Sequence, residues 1–139
     1  LHIKINEIIE KYVKKLQPDI VFTHHPDINK DHTLIFESTM VALRPVPDSP
    51  TKKVLLYAPV SSTEWSAPFS GNYFIPNVFY DTTDTLDLKL KAFSCYKSEL
   101  RDFPHPRSLE AIKIYTQKTG ISVGLQAAEH FMLIRSFEN

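Results

Sequence analysis

The residues best suited to chemistry lie in one short stretch, residues 23–32, which reads THHPDINKDH. It places three histidines and two aspartates directly after a short apolar run. Neutral imidazole and ionised carboxylate are ligands that suit zinc, and a catalytic zinc keeps one coordination position for water. His32 with a nearby carboxylate is therefore suited to form part of a zinc site, although these residues alone do not complete a ligand set.

A structural interpretation of the same residues is also open. Single histidines in loops commonly lie on the surface, and Asp31 is well placed to cap the helix predicted after it by accepting from backbone N–H groups. For an isolated Asp-His pair this interpretation would be preferred. Three histidines within nine residues, from His24 to His32, favour a functional site instead.

The predicted secondary structure places this cluster at the end of a strand. The apolar residues of the first sixteen positions recur at helical spacing between charged residues, which predicts an amphipathic helix. Residues 20–23, Ile-Val-Phe-Thr, are typical of a buried parallel strand. In open α/β sheets, ligands gather beyond the carboxyl ends of strands, so the cluster is well placed for a binding crevice.

The rest of the chain alternates helices and strands. Helices are predicted over residues 33–43, from a cap at Asp84 through residue 96, and from a cap at Ser108 to a left-handed residue at Gly120. Strands are predicted over residues 53–58 and 78–80, with an irregular loop over residues 59–76 between them. Residues 131–134 are ambiguous between strand and helix. The pattern predicts one α/β domain over residues 1–139.

The composition argues against several kinds of partner. Sixteen basic and sixteen acidic residues cancel, so the positive excess needed for nucleic-acid binding is lacking and no nucleic-acid partner is expected. No apolar run approaches the roughly 20 residues that span a bilayer, so no membrane partner is expected either. The single cysteine, Cys95, cannot form an internal disulfide. A soluble, cytoplasmic protein is the expected setting.

Residues 18–32 resemble the second conserved block of the LmbE-like, or PIG-L, family of N-deacetylases. The specific part of the resemblance is the Asp-x-Asn-x-Asp-His ending, from Asp27 to His32. Later blocks of the family resemble, in the same order, residues 61–65, 76–81, 91–99 and 120–131. The resemblance implies a Rossmann-like doubly wound sheet, of which this chain is the C-terminal portion of an LmbE-like deacetylase fold.

The same resemblance implies roles for residues of the cluster. His32 would be a zinc ligand, and Asp31 would orient it or tune the site. Many family members have a histidine at the position of Asn29, where it helps to stabilise the oxyanion. An amide can donate a hydrogen bond there but cannot deliver a proton. Whether His24 or His25 substitutes for that histidine stays open.

Three further residues are candidates around the cluster. Asp27 is suited to orient the substrate or a neighbouring histidine. Trp65, in the irregular loop, could stack on a sugar ring or cover the edge of the core. Arg44 is a candidate for facing the substrate, although an arginine that satisfies carbonyl groups at a helix C-terminus is the preferred interpretation.

The family's first signature, Ala-His-Pro-Asp-Asp-Glu, has no counterpart in this sequence. That motif provides a histidine and an aspartate as metal ligands and a second aspartate as general base. The chain is therefore expected to hold only His32 among the ligands of a Zn²⁺ cofactor, with the others in an absent N-terminal block. The implied function is zinc-dependent removal of an acetyl group from an N-acetylated amino sugar or related glycoconjugate, with little catalysis from this chain alone. The alternative is a non-catalytic sugar- or nucleotide-binding α/β module.

The absent block would also carry the first strands of the sheet. Residues 20–23 are then expected to form an exposed apolar edge, which is a liability for unwanted pairing. We expect this edge to be covered, either by a homo-oligomeric partner or by the N-terminal segment that complements the fold.

Overall fold

The computed structural model of the protein describes residues 2–47, 49–67, 71 and 73–138. They form two compact units, one of Leu1–Ile75 with Phe131–Asn139 and one of Pro76–His130. The expectation of a single domain stays a prediction. None of the helices in the described ranges is long and apolar enough to cross a membrane.

The elements alternate as expected for an α/β protein. In chain order they are α1 (His2–Leu16), β1 (Ile20–His24), α2 (Lys30–Ala42), β2 (Lys53–Tyr57), β3 (Val78–Asp81), a 3-10 turn (Thr83–Thr85), α3 (Leu86–Ser94), α4 (Leu109–Ile121) and β4 (Ala128–Ser136). The described strands form one sheet in the order β1-β2-β4-β3. The predicted α/β class is confirmed, and the ambiguous last element is a strand.

The first unit is built around β2. Val54, Leu55 and Leu56 are at most 2% exposed, because β2 lies between a parallel β1 and an antiparallel β4. The antiparallel β4 makes the sheet mixed. The register pairs Ile20 with Lys53 and His24 with Tyr57, so the carboxyl ends of β1 and β2 lie side by side. Side chains that follow these two strands are thereby brought to one edge of the sheet.

β1 lies at the edge of the sheet, as expected. The sequence of residues 20–23 is typical of a buried strand, but Ile20 is 45% and Phe22 47% exposed, which agrees with the expectation of an exposed apolar edge. Thr23, on the other face, is buried, and its hydroxyl donates a hydrogen bond of 3.2 Å to the Thr39 hydroxyl on α2. An apolar run in a sequence does not show whether its strand pairs with two neighbouring strands or with one.

In the second unit the caps differ in part from the predicted ones. Ser108 caps α4 as predicted, with its hydroxyl accepting from Ala111 N at 3.0 Å. Asp84 lies within the 3-10 turn, and it is the Asp81 carboxylate that accepts from Thr83 N at 2.9 Å. Cys95, directly after α3, is exposed.

Gly120 is not the left-handed residue that ends α4. The helix continues to Ile121, and the left-handed glycine of this turn is Gly124, with φ of 77°. Gly120 is required for a different reason: a Cβ atom there would lie 2.6 Å from the backbone nitrogen of Ala127 and 2.8 Å from the carbonyl oxygen of Leu125. The glycine allows the segment after α4 to pass directly against the helix.

We expect Gly120→Ala to destabilise the protein by about 2–3 kcal/mol, because backbone on both sides would have to move apart. Gly124→Ala is the control, since a Cβ there meets nothing within 4 Å and only the positive φ is unfavourable, at roughly 1 kcal/mol. Urea denaturation of both variants measures the difference. A Gly120→Ala variant as stable as the wild type would contradict the close packing.

Candidate active site

The two histidines at the end of β1 have different surroundings. His24 is half-buried, and its imidazole nitrogens lie 3.0 and 3.2 Å from the hydroxyl of Tyr57, the last residue of β2. The His24 ring also stacks on the ring of His32, with centroids 4.5 Å apart and planes 18° from parallel. His24 therefore lies directly against His32.

His25 is only 3% exposed. Its ring meets Phe74 edge-on at 5.3 Å and hydrogen-bonds to the backbone of Tyr73. Its Nδ1 atom is buried and has no hydrogen-bond partner among the residues that the structure describes. These contacts are those of a side chain that supports the loop before β3, so they favour a positioning role over direct contact with substrate.

Asp27 and His32 form the most closely bonded pair of the site. His32 Nδ1 lies 3.0 and 2.9 Å from the two carboxylate oxygens of Asp27, whose side chain is 1% exposed. A carboxylate at Nδ1 keeps the imidazole proton there and leaves the lone pair of Nε2 available. Metal-binding histidines use this tautomer, so the geometry is compatible with His32 as a ligand.

Asn29, rather than Asp31, caps α2. Its side-chain oxygen accepts from Asp31 N at 2.9 Å, and its side-chain nitrogen lies 3.3 Å from His32 Nε2. Asp31 is exposed in the first turn of the helix. The structure places Asp27, and not Asp31, in contact with His32, because the helix begins three residues earlier than predicted. That Asp31 tunes the site stays a prediction.

The loop after β2 closes over the same pair. Thr63 donates to Asp27 Oδ2 at 3.4 Å, and the Ser62 hydroxyl lies 3.5 Å from His32 Nδ1. The Ser66 hydroxyl accepts from Ile28 N at 3.2 Å and donates to the Ser62 carbonyl at 3.0 Å. The loops that follow the two parallel strands are therefore joined by hydrogen bonds.

The environment sets the protonation states of the cluster. Burial, followed by electrostatic repulsion between the His24 and His32 rings when both are protonated, lowers the pKa of His24 below 6.5, while Asp27 opposes the change. Burial also lowers the pKa of His25. For Asp27, burial would raise the pKa, but hydrogen bonds from His32, Asn29 and Ser62 together outweigh it and the net pKa is lowered. At neutral pH the two histidines are neutral and Asp27 is ionised.

The other two candidates around the cluster, Trp65 and Arg44, lie in different places. Trp65 is 56% exposed on the turn after β2, and its backbone N–H donates to the Ser61 carbonyl at 3.0 Å. Arg44 follows the C-terminal end of α2, about 20 Å along the helix from His32 by the rise per residue, and pairs with Glu10 at 3.7 Å. The structure thus does not bring Arg44 to the histidine cluster.

The described residues include no group of three or more histidine, cysteine, aspartate or glutamate side chains that could hold a metal ion. His32 fits a metal as a single ligand through Nε2, with Asp27 behind it. A zinc site that uses His32 would need its other ligands from residues outside this described set.

Tyr57 and the hydroxyls of Ser62 and Thr63 were not predicted to belong to the site. The signal for Tyr57 is its place as the last residue of the strand parallel to β1, where side chains converge with those that follow β1. The contacts of the two hydroxyls depend on how the loop folds back, and no local pattern predicts that.

No protein-family model matches the sequence, and no curated protein matches it either. Several solved structures share its fold. The conserved protein TT1542 from Thermus thermophilus aligns over 98% of this chain with a TM-score of 0.71 and 18% identity. The N,N'-diacetylchitobiose deacetylase from Pyrococcus horikoshii aligns over 95%, with a TM-score of 0.63 and 19% identity. GalB, the 4-carboxy-2-hydroxymuconate hydratase from Pseudomonas putida, aligns over 98%, with a TM-score of 0.70 and 17% identity.

These similarities define the fold class. The chain has the α/β fold of the three proteins, and the predicted LmbE-like fold is supported at that level. It spans 60%, 51% and 61% of their lengths, respectively. At this identity the comparison concerns fold and not activity, since one fold supports different reactions.

We expect Asp27→Ala to lower the stability of the natural protein by about 1–3 kcal/mol, because the buried Nδ1–H of His32 loses its acceptor. Asp31→Ala is the matched control on the same segment and should change stability by no more than about 1 kcal/mol, from its place at the helix N-terminus. Nitrogen-15 NMR of the His32 ring should also show the proton leaving Nδ1 in the Asp27 variant alone. Equal effects of the two substitutions would contradict the assigned contact.

Stability should fall as the pH is lowered through 6.5. Because the folded-state pKa values of His24 and His25 lie below 6.5, the unfolded chain binds protons first, and protonation favours unfolding until the pH drops below the folded-state values. Urea denaturation between pH 7.5 and pH 5 tests this. His24→Gln should reduce the slope, whereas a wild type of constant stability over this range would contradict the lowered pKa values.

Proposed function

We propose that this chain is part of a metal-dependent hydrolase that removes an acetyl group from an N-acetylated amino sugar or a related glycoconjugate. The observation that carries the proposal is the His32–Asp27 pair at the carboxyl ends of two parallel strands. It presents one imidazole nitrogen whose opposite nitrogen is fixed by a buried carboxylate.

The fold comparison supports this choice among hydrolases. A deacetylase of diacetylchitobiose is among the structures with this fold, and the name of that enzyme gives an N-acetylated sugar as its substrate. The chain spans 51% of that protein, so the other metal ligands are proposed to come from residues outside these 139. The 139 residues alone are then expected to bind zinc weakly and to show little turnover.

A zinc ion, when bound, supplies Lewis acidity that polarises an acyl carbonyl and lowers the pKa of a bound water. The residues of this chain have separate tasks. His32 offers Nε2, and Asp27 holds the ring in the required tautomer and orientation. Asn29, whose amide nitrogen lies 3.3 Å from Nε2, is placed to donate a hydrogen bond to an oxygen that gains negative charge there.

His24 is the candidate for moving a proton. Cleavage of an amide releases an amine, which is a poor leaving group unless it is protonated. His24 is neutral near neutral pH, lies against His32 and is held by the Tyr57 hydroxyl, so it can accept a proton and return it. His25 is proposed to support the site from its buried position, because it is 3% exposed.

Trp65 is the candidate for sugar binding. The ring is 56% exposed, and the turn that carries it is tied to the Asp27 loop through Ser66. Indole faces stack on the apolar faces of sugar rings. Trp65→Ala is expected to raise KM about tenfold with little change in kcat, since the ring binds substrate without touching the reacting bond.

The test uses the natural protein. Its metal content is measured by plasma mass spectrometry, and its activity is measured as acetate release from N-acetylglucosamine and its oligosaccharides. His32→Ala should lose both zinc and turnover, and Asp27→Ala should lower zinc affinity or activity about 10–100-fold. His24→Gln and Tyr57→Phe should lower turnover with zinc retained. Arg44→Ala, at the far end of α2, is the matched control and should behave as the wild type.

The outcomes separate the proposal from its alternatives. The lack of a complete ligand set in the described residues favours, as second candidate, a sugar- or nucleotide-binding module without catalysis. Sugar or nucleotide binding without acetate release would support that module. Because a hydratase shares this fold, hydratase activity is a further alternative. It would be assayed as the addition of water to an unsaturated carboxylate. Full turnover by His32→Ala would overturn the assignment of the site.

A further inference from the structure

Both ring nitrogens of His32 have a hydrogen-bond partner. Nδ1 lies 3.0 and 2.9 Å from the carboxylate oxygens of Asp27, and Nε2 lies 3.3 Å from the side-chain nitrogen of Asn29. The backbone nitrogen of Asn29 donates in turn to Asp27 Oδ1 at 2.8 Å. The three residues therefore form a closed triangle of hydrogen bonds, which we call the His32 triangle. One of its bonds occupies the nitrogen that a metal ion would need.

The direction of the bond at Nε2 follows from the other end of the Asn29 amide. The side-chain oxygen of Asn29 accepts from Asp31 N at 2.9 Å, as the N-cap of α2. The nitrogen of the amide is thus the atom that faces His32, and an amide nitrogen only donates. With the imidazole proton on Nδ1, Nε2 is an acceptor, so one arrangement of protons satisfies every bond of the triangle.

The two partners of the His32 ring differ in how firmly they are held. The Asp27 side chain is 1% exposed and also accepts a hydrogen bond from the Thr63 hydroxyl. Asn29 is exposed, so water can satisfy its amide once the ring nitrogen is released. Its bond to Nε2, at 3.3 Å, is longer than the roughly 2.7–3.2 Å of most N–H hydrogen bonds. Asp27 is therefore the fixed partner of the ring, and Asn29 is the partner that can leave.

Nε2 has a single lone pair, which cannot accept a hydrogen bond and bind a metal ion at the same time. We propose that Asn29 is a latch on this nitrogen, which holds Nε2 in the metal-free protein and releases it when a metal ion binds. The inference rests on the proposed role of His32 as a metal ligand. It adds that Asn29, which is not itself a ligand, weakens metal binding and so helps to set the affinity of the site.

The latch also connects metal binding with the proposed chemistry. The amide hydrogen that Asn29 donates to Nε2 cannot be donated to a substrate oxygen at the same time. When the ring nitrogen is released, this hydrogen becomes available close to Nε2, where an acyl oxygen would gain negative charge. The same amide therefore has one acceptor in the metal-free protein and another in the metal-loaded protein.

The size and the selectivity of the effect follow from the strength of one neutral hydrogen bond. The loss of such a bond changes an equilibrium constant by roughly 2–10-fold. Zinc binds imidazole strongly enough to overcome this competition. Magnesium prefers oxygen ligands and keeps much of its own water, so it should leave the latch in place.

NMR of the natural protein gives a direct test. After metal is removed with a chelator, a coupling across the hydrogen bond should connect the Asn29 side-chain amide with His32 Nε2. Zinc alone should abolish the coupling and shift the Nε2 resonance, whereas magnesium at the same ionic strength should do neither. The latch is overturned if the metal-free protein lacks this coupling, or if the coupling persists while zinc is bound at Nε2.

A substitution that keeps the helix cap separates the latch from a structural role. Serine is also a good N-cap, so Asn29→Ser retains an acceptor for Asp31 N but removes the amide that reaches Nε2. Zinc affinity, measured by competition with a chelating dye, should rise about 2–10-fold because the competing bond is gone. Asn77→Ser, the same substitution at an exposed position of the second unit, is the matched control and should leave the affinity unchanged. A zinc affinity that stays the same or falls in Asn29→Ser would contradict the latch, because a residue that only supports the site would weaken binding when it is replaced.

Failure of the latch and failure of the proposed function give different results. If zinc shifts the His32 resonances but Asn29→Ser binds zinc like the wild type, the latch is wrong and the metal site stands. If zinc leaves the His32 resonances unchanged, the metal role of His32 is wrong and the latch falls with it. Tighter zinc binding by Asn29→Ser, in a protein that releases no acetate from N-acetylated sugars, supports the latch and rejects the deacetylase.

Discussion

The parallel pairing of β1 with β2 is the constraint on which the candidate site depends. Its register sets His24 opposite Tyr57 and places the loops after both strands at one edge of the sheet. Residues more than thirty positions apart, such as Asp27 and Thr63, then come within hydrogen-bonding distance. The burial of β2 between β1 and β4 stabilises this register, because a shift by one residue would turn Val54 and Leu56 to the opposite face.

Within that frame, the buried carboxylate of Asp27 organises the loop. An ionised carboxylate removed from water is unfavourable unless hydrogen bonds compensate it. His32, the backbone of Asn29 and the hydroxyl of Thr63 do so, and the pKa of Asp27 is lowered despite its burial. The same bonds orient the His32 ring and tie down the start of α2. The group that makes the loop stable is thus also the group that fixes the orientation of the His32 imidazole.

The described residues supply only some of the groups that a metal centre needs. The site contains neutral histidines, an amide and several hydroxyls, but the described residues do not converge on a complete metal-binding set. The uncovered edge of β1 and the unburied α1 lie on the same unit as this site. The solved structures with the same arrangement of elements are longer than this chain, which spans 60% and 51% of the lengths of two of them. Fold similarity to both a deacetylase and a hydratase leaves the reaction to be decided by the side chains.

Local patterns in the sequence were enough to predict most of the elements and to place the histidine cluster after a strand. α1, β1 and the Ser108 cap follow from periodicity and local hydrogen bonding, which act over a few residues, and the histidine cluster marked the carboxyl end of β1. The folded chain was needed to establish which carboxylate reaches His32, because Asp27 and Asp31 are chemically equivalent and only the start of α2 distinguishes them. It also revealed the contact of Tyr57 with His24 and the close packing at Gly120, since both depend on groups that the chain brings near only after folding.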